Sequence, residues 1–355
     1  MMTHADAQRR LQRGQPVVDA DLSGVDFTGL SLAGAVFHRV RLVGARLNGC
    51  DMSGASFNEC DLTSADITDC KLSAVIFSYC QLPGVRFHCN DVRHTNFARC
   101  DLRDTDWEGR EISIGTWVEC DLRGARFTRA RLTRVVATGC QWEGADLSAA
   151  TIDQAALCDV DFRGIGMQGL HAQAAVLTNA NLSSKQLAGV TLRCCTLQGA
   201  NLTGADLSGA DLTQANFLGA TLRGARLRDV SAANAMFLQA KIDDCDFENA
   251  LLEGSVFQRA QVSSSRFDGA RLSKSAWGHS RHHDVSFRGA DLRFADFSHA
   301  RIDHADFDHA RLDFCRLHGT VLEHTTFTGA NRRRAIETDE ALLATEKRTL
   351  MAEVM

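Results

Sequence analysis

From Leu22 to Phe327 every fifth residue is large and apolar at 58 of 62 positions, the exceptions being Ala137, Ala172, Ala232 and His282. The frame never slips by a residue. A period of five matches neither the 3.6 of a helix nor the 2.0 of a strand. On a helix these side chains would drift around the axis, and on a strand they would alternate between faces. A very short extended piece followed by a corner returns the same side chain to one interior each time. No such unit buries its apolar side alone, so the units must stack, which is the logic of a β-solenoid.

A second position keeps the phase. Two places before each large residue, from Ala20 to Thr325, Ala, Cys, Ser, Thr or Gly stands at 47 of 62 positions. Asp, Asn or Arg often follows the small residue, and Gly often stands two after the large one. The run Ala200–Gln214, ANLTGADLSGADLTQ, shows the unit plainly. The large residues also alternate in kind. Nineteen of 31 positions ending in 7 are Phe or Trp, against only Trp142 and Phe162 among the 31 ending in 2. Three units per turn would mix Leu and Phe in every column, and two sides cannot enclose a core. Four units per turn is the smallest solution, and the even spacing of the series Cys60, Cys80, Cys100, Cys120, Cys140 agrees with it.

These repeats resemble the pentapeptide-repeat family, whose unit reads A(D/N)LXX, over residues 20–330. The resemblance implies an all-β fold, a right-handed quadrilateral β-helix of about 15 twenty-residue coils, with the small and the large residue both inward. Short helical caps are expected at the termini. The expected organisation is an N-terminal cap segment at 1–15, the β-helix at 16–330 and a C-terminal helix at 331–355. Thr3–Arg13 reads as a short helix over the first coil. Thr338 with Asp339 and Glu340 reads as a helix start, followed by an apolar stripe of Leu342, Leu343, Leu350, Met351 and Val354. That helix either caps its own solenoid or docks on another chain, since C-terminal pairing occurs in the family.

Two charged residues, Arg110 and Lys185, fall at the inward small position, where burial is costly. A local bulge or outward excursion is expected at each, and the repeat pattern is also loose around Ile165–Ala175.

Net charge is −5 with 23% charged residues, which favours neither nucleic-acid binding nor a strongly acidic surface. No apolar run approaches the ~20 residues of a membrane helix, and Met1–Gly14 is too polar for a signal peptide. Of 13 cysteines, ten take the inward small position, where Cys substitutes for Ala as a packed free thiol. A reducing compartment is therefore expected, and the family resemblance implies the cytoplasm of a bacterium. No CxxC pair supports zinc. Histidines gather late, with His279 over His299 and His304 over His324, and read as solvated corner residues, the alternative being a surface metal or proton-sensitive patch. No phosphate loop, GxSxG or HExxH is present. No catalytic residue, metal or cofactor is expected, and the chain reads as a non-enzyme.

Sorting the outward positions by turn separates the faces. One alternates in charge: Asp26, Arg46, Asp66, Arg86, Asp106, Arg126, Asp146, then Asp206, Arg226, Asp246, Arg266. The opposite face is uncharged, with Val136, Val176, Met236 and Val256 in one column and Val118, Leu218 and Leu238 beside it. Such a strip marks a contact surface. Phe294 and Phe314 are the only Phe residues outside the core frame and lie one turn apart. They either cover the C-terminal helix or anchor a partner. These nine residues are the candidate partner-binding set. The expected function is a protein-interaction scaffold, binding a protein or self-associating, with no direct nucleic-acid or membrane contact. The opening RGQPVVDADLSGVDFTGLSLAGAVF resembles pentapeptide-repeat proteins associated with type VI secretion. The alternative is the DNA-mimic branch of the family, which binds DNA gyrase and gives fluoroquinolone resistance.

Overall fold

The computed structural model describes residues 4–89 and 91–354. It forms two compact units, up to Ala180 and from Asn181. Both are β-solenoid, about 15 turns in the chain. Thr3 and the side chains of Leu350, Met351 and Val354, expected in the caps, lie outside the described residues.

In the first unit Phe37, Phe57, Phe77, Phe97, Trp117, Ala137 and Leu157 follow one another in parallel register. On another side Val92, Ile112, Leu132, Ile152 and Ala172 do the same. Each residue thus pairs with the one four repeat units further on, so four five-residue units close a turn. In the second unit Ile242, Val262, His282, Ile302 and Leu322 keep the same register.

The backbone of each unit is satisfied by a fixed pattern. In the second unit the Leu202 N–H donates to Thr221 one turn on (2.7 Å), and Gly204 to Arg223 (2.7 Å). Thr221 N–H donates back to Ala200 (3.0 Å), and Ala205 to Leu202 within the corner (3.0 Å). Lone polar backbone groups are thus avoided without long strands. The corner itself, at positions ending in 4 and 9, takes left-handed backbone repeatedly, from Gly24 (φ 67°) to His324 (φ 48°). This explains the Gly at that position, which has no Cβ to clash. The Asp or Asn after the small residue makes an Asx turn. Asp206 Oδ1 accepts from the Ser208 N–H (3.0 Å) and hydroxyl (2.6 Å).

The interior is a set of stacked columns. In the first unit Phe37, Phe57, Phe77 and Phe97 lie parallel at 4.8–5.0 Å. In the second, Phe217, Phe237, Phe257, Trp277 and Phe297 form one stack. Phe247, Phe267, Phe287, Phe307 and Phe327 form another. The two stacks meet edge to face, as Phe257 and Phe267 do at 90°. Each such contact contributes roughly 0.5–1.5 kcal/mol beyond area burial. Where Ala137 leaves space in the first unit, Trp142 fills it, 6.0 Å from Trp117.

One expectation about the packing is corrected. At Arg110 and Lys185 no bulge forms: both keep the corner hydrogen bond, to Trp107 (3.0 Å) and Leu182 (3.2 Å). Their side chains are half-buried rather than enclosed, because long stems can carry the charge out to water while the backbone stays in frame. Where the repeat pattern loosens, around Ile165–Ala175, the packing holds: Ile165, Met167, Leu170, Ala172 and Ala175 are all buried. Cys89, outside the expected small column, is buried too, and its Sγ donates to Ile67 O (3.0 Å).

Helix α1, His4–Gln12, buries Ala7 completely and ends at Gly14, whose left-handed backbone (φ 65°) lets its N–H reach Leu11 O (3.0 Å). At the other end the bridges Arg311–Asn331 and Arg316–Ile336 carry the solenoid past residue 330. Helix α2 is the shorter segment Glu340–Val354, and Asp339 caps it by accepting from Leu342 N–H (3.0 Å). Among the described residues no helix is long and apolar enough to cross a membrane.

Candidate interaction surfaces

The outward positions of a solenoid are fixed by the inward ones, so each face is a column read once per turn. In the first unit one column pairs Ser56, Ile76, Asn96, Thr116, Val136, Ala156 and Val176. Val136 is 43% exposed and Ile76 45%, while Val176 is half-buried. Val118, beside Thr138 in the neighbouring column, is half-buried as well. Polar Asn96 and Thr116 divide this column, so its apolar members stand as separate short patches.

In the second unit Asn216, Met236, Val256 and Ala276 bridge in sequence, and the column then turns charged at Asp296 and Arg316. Met236 is exposed, and Leu218, Leu238 and Val256 are half-buried. Gly219 N–H donates to Leu238 O (2.9 Å), which sets Leu218 and Leu238 on successive turns.

Phe294 and Phe314 form a tighter feature. Their rings stack at 5.0 Å and 5°, with 52% of Phe294 and 38% of Phe314 exposed. Both occupy the left-handed corner, φ 62° and 58°, which is rare for a bulky side chain. The Arg334 guanidinium lies 5.4 Å from the Phe314 ring centre. Of the two roles the sequence left open, covering α2 is not what the described residues show. The helix instead sets Glu346 against His318 (3.2 Å) and His299 (3.5 Å), and Leu343 beside Gly319. Both phenylalanines stay open.

The sequence reading missed Ile114, which is 43% exposed in the same left-handed corner conformation (φ 56°). It also missed Val321 and Ile336, exposed at 46% and 49% on the last turn. The signal for Ile114 is a β-branched residue at a position that elsewhere often holds Gly, Asn, Asp or His. That last turn leaves Phe327 half-buried, and Arg332 spreads over its ring at 4.3 Å while pairing with Glu337 (2.9 Å).

The alternating charged face is in register, but its bonds zigzag. Arg46 reaches Asp26 directly (2.6 Å). Arg126 instead takes Glu108 (2.7 Å), and in the second unit Arg266 takes Glu248 (3.1 Å) and Arg288 takes Asp306 (2.8 Å). Charges are locally paired, and each exposed pair contributes roughly 0–1 kcal/mol.

All 13 cysteines are free thiols. In the Cys60–Cys140 column they donate to backbone carbonyls, as Cys100 does to Phe77 and Ala98 (both 3.4 Å). Burial pushes the thiols of Cys70, Cys245 and Cys315 up to about 12. Such thiols are poor nucleophiles.

Comparison with protein families matches "Pentapeptide repeat region" over 40–115 and eight copies of "Pentapeptide repeats" between 18 and 336. Comparison with curated proteins yields no match. Among solved structures, the chain is similar to QnrB1, a plasmid-mediated fluoroquinolone resistance protein. Identity is 17%, with 49% of this chain and 90% of that one covered, at a TM-score of 0.34. It is similar to HetL, a pentapeptide repeat protein involved in heterocyst differentiation regulation from the cyanobacterium Nostoc. There the identity is 20%, the coverage 96% and 98%, and the TM-score 0.18. A pentapeptide repeat protein of the Arabidopsis thaliana thylakoid lumen is 24% identical over 33% of this chain and 68% of its own, with a TM-score of 0.23. With family models matched along most of its length and each turn built from four of its five-residue units, the chain belongs to the pentapeptide-repeat family.

Proposed function

We propose that this protein is a non-enzymatic interaction scaffold of the bacterial cytoplasm, and that the stacked pair Phe294–Phe314 anchors a protein partner. The supporting observation is that two large aromatic rings stand in water on strained backbone. A left-handed conformation costs roughly 1–2 kcal/mol for a residue with a Cβ, and Gly, Asn or Asp fits the corner better. Nothing in the solenoid's construction calls for Phe there. Aromatic residues and Arg dominate binding energy at protein interfaces, and Arg334 stands beside the pair. Leu218, Met236, Leu238 and Val256 extend the apolar surface of that unit. Val118, Val136 and Val176 provide a second, weaker surface in the first.

Helix α2 is read as a cap on its own solenoid, through Glu346 and Leu343. A homodimer through α2 or the apolar face is the competing form of self-association. On the resemblance of the opening segment, type VI secretion components are the first partners to test.

The test is affinity purification from the native host with Phe294→Asn/Phe314→Asn beside the parent chain. A specific partner held by the parent and lost by the folded variant supports the reading, and equal retention refutes it. Inhibition of gyrase supercoiling by the purified chain would put the DNA-mimic alternative first.

A further inference from the structure

We propose that His283, Asp303 and His304, with His324 alongside, form a binding site for one divalent transition-metal ion of the zinc class. Asp303 lies mid-strand in Arg301–Asp306, paired with His283 on the preceding turn and Glu323 on the next. Three imidazoles from three successive turns aim the same ring nitrogen at its carboxylate. His304 Nδ1 is 2.7 Å and His324 Nδ1 2.9 Å from Oδ1, and His283 Nδ1 is 3.2 Å from Oδ2. The ligand atoms of His283, Asp303 and His304 all lie within 4.8 Å of one another.

Zinc bonds of roughly 2.0–2.2 Å to nitrogen and oxygen place tetrahedral ligand atoms a little over 3 Å apart. The observed N–O separations, 2.7–3.2 Å, fall just short of that spacing, so a small side-chain rotation opens the set around an ion. Two or three imidazoles with one carboxylate suit Zn2+, Co2+ or Ni2+ rather than Mg2+ or Ca2+, which take oxygen shells. On binding, each liganding imidazole carries its single proton on Nε2 and gives its Nδ1 lone pair to the ion. For His283 that tautomer has a ready partner, since Asp284 Oδ2 lies 3.4 Å from Nε2. A carboxylate behind a liganding histidine is the usual supporting contact.

The platform is stiff. Arg281–Ser286 and Arg301–Asp306 are six-residue strands, while every other strand among the described residues has two or three. Arg281 and Arg301 pair on the same strands and line one surface depression with Asp303 and Glu323. The second histidine cluster, His299, His318 and Glu346, is a weaker candidate. The Asp339 N–H donates to His318 Nδ1 (3.2 Å), which puts the ring proton on Nε2, so the ring meets Glu346 with an N–H and not a lone pair.

The experiment uses the untagged full-length chain carrying Cys194→Ser, which removes the exposed thiol, stripped with EDTA. Zn2+ titration by calorimetry should give one ion per chain. Co2+ should give the visible absorption of a tetrahedral site, and added Zn2+ should raise the unfolding midpoint. Asp303→Asn/His304→Gln should abolish binding, and Asp284→Asn should weaken it about 10-fold. His299→Gln/His318→Gln should bind as the parent does. Circular dichroism and the melt in EDTA establish that each variant folds, and His324→Gln is the milder substitution should the double variant fail. No binding at about 100 times a micromolar Kd, or binding unchanged in Asp303→Asn/His304→Gln or moved by His299→Gln/His318→Gln, overturns the proposal.

Discussion

The rings of Phe294 and Phe314 lie parallel, 5.0 Å apart, on corner residues whose backbone is left-handed. They are the same register position on successive turns, and stacking is what the solenoid does with any column of like residues. Inside, that stacking fills the core; here it builds an exposed aromatic face.

Stability and binding should therefore respond in opposite senses at this pair. Glycine at both positions releases left-handed strain of roughly 1 kcal/mol each and forfeits a ring contact of about 0.5–1.5 kcal/mol. Phe294→Gly/Phe314→Gly should melt at or above the parent temperature in calorimetry while partner capture is lost. A loss of more than about 2 kcal/mol would identify the pair as a structural staple.

His282 holds a core position between Val262 and Ile302. Its Nε2 pairs with the Ser280 hydroxyl (2.7 Å), but its buried Nδ1 has no partner. Replacing an unsatisfied buried polar group by an apolar one of similar size recovers about 1–3 kcal/mol. His282→Leu should raise the urea midpoint with an unchanged m-value.

Acid should destabilise the fold through its Asx turns. The Ser23 hydroxyl and N–H hold Asp21 below the usual carboxylate value of 3.8, and Ser53 and Ser208 do the same for Asp51 and Asp206. A carboxylate whose pKa is lower folded than unfolded contributes stability above the unfolded value, and that contribution goes as pH falls through the folded one. Thermal midpoints should drop as pH falls below about 4. Because hydrogen bonds lead these shifts, 1 M salt should leave most of the drop in place. A drop erased by salt would point to the Arg–Asp pairs instead.

Thiol reactivity should follow burial. Cys194 is exposed, Cys140 and Cys158 are half-buried, and the other ten are buried. Ellman's reagent should label one thiol quickly in the native chain and all 13 in guanidinium. Rapid native labelling of several would show the Cys60–Cys140 column opening.

The sequence alone determined the five-residue frame, the four-unit turn, the inward Leu, Phe, Ala and Cys columns and the charged face. All of these are periodic: each residue meets only its counterparts one turn away, so spacing is enough to place it. The tertiary structure decided what breaks the period. The left-handed corner is a backbone property, and it turns Phe294, Phe314 and Ile114 from ordinary surface residues into strained ones. Which way Arg110 and Lys185 leave the core depends on room beside them, and the backbone there never moves. The stacking of His304 over His324 could be counted from the spacing, but the convergence of three Nδ1 atoms on Asp303 could not. It depends on side-chain rotation about three separate turns, and no repeat length encodes that.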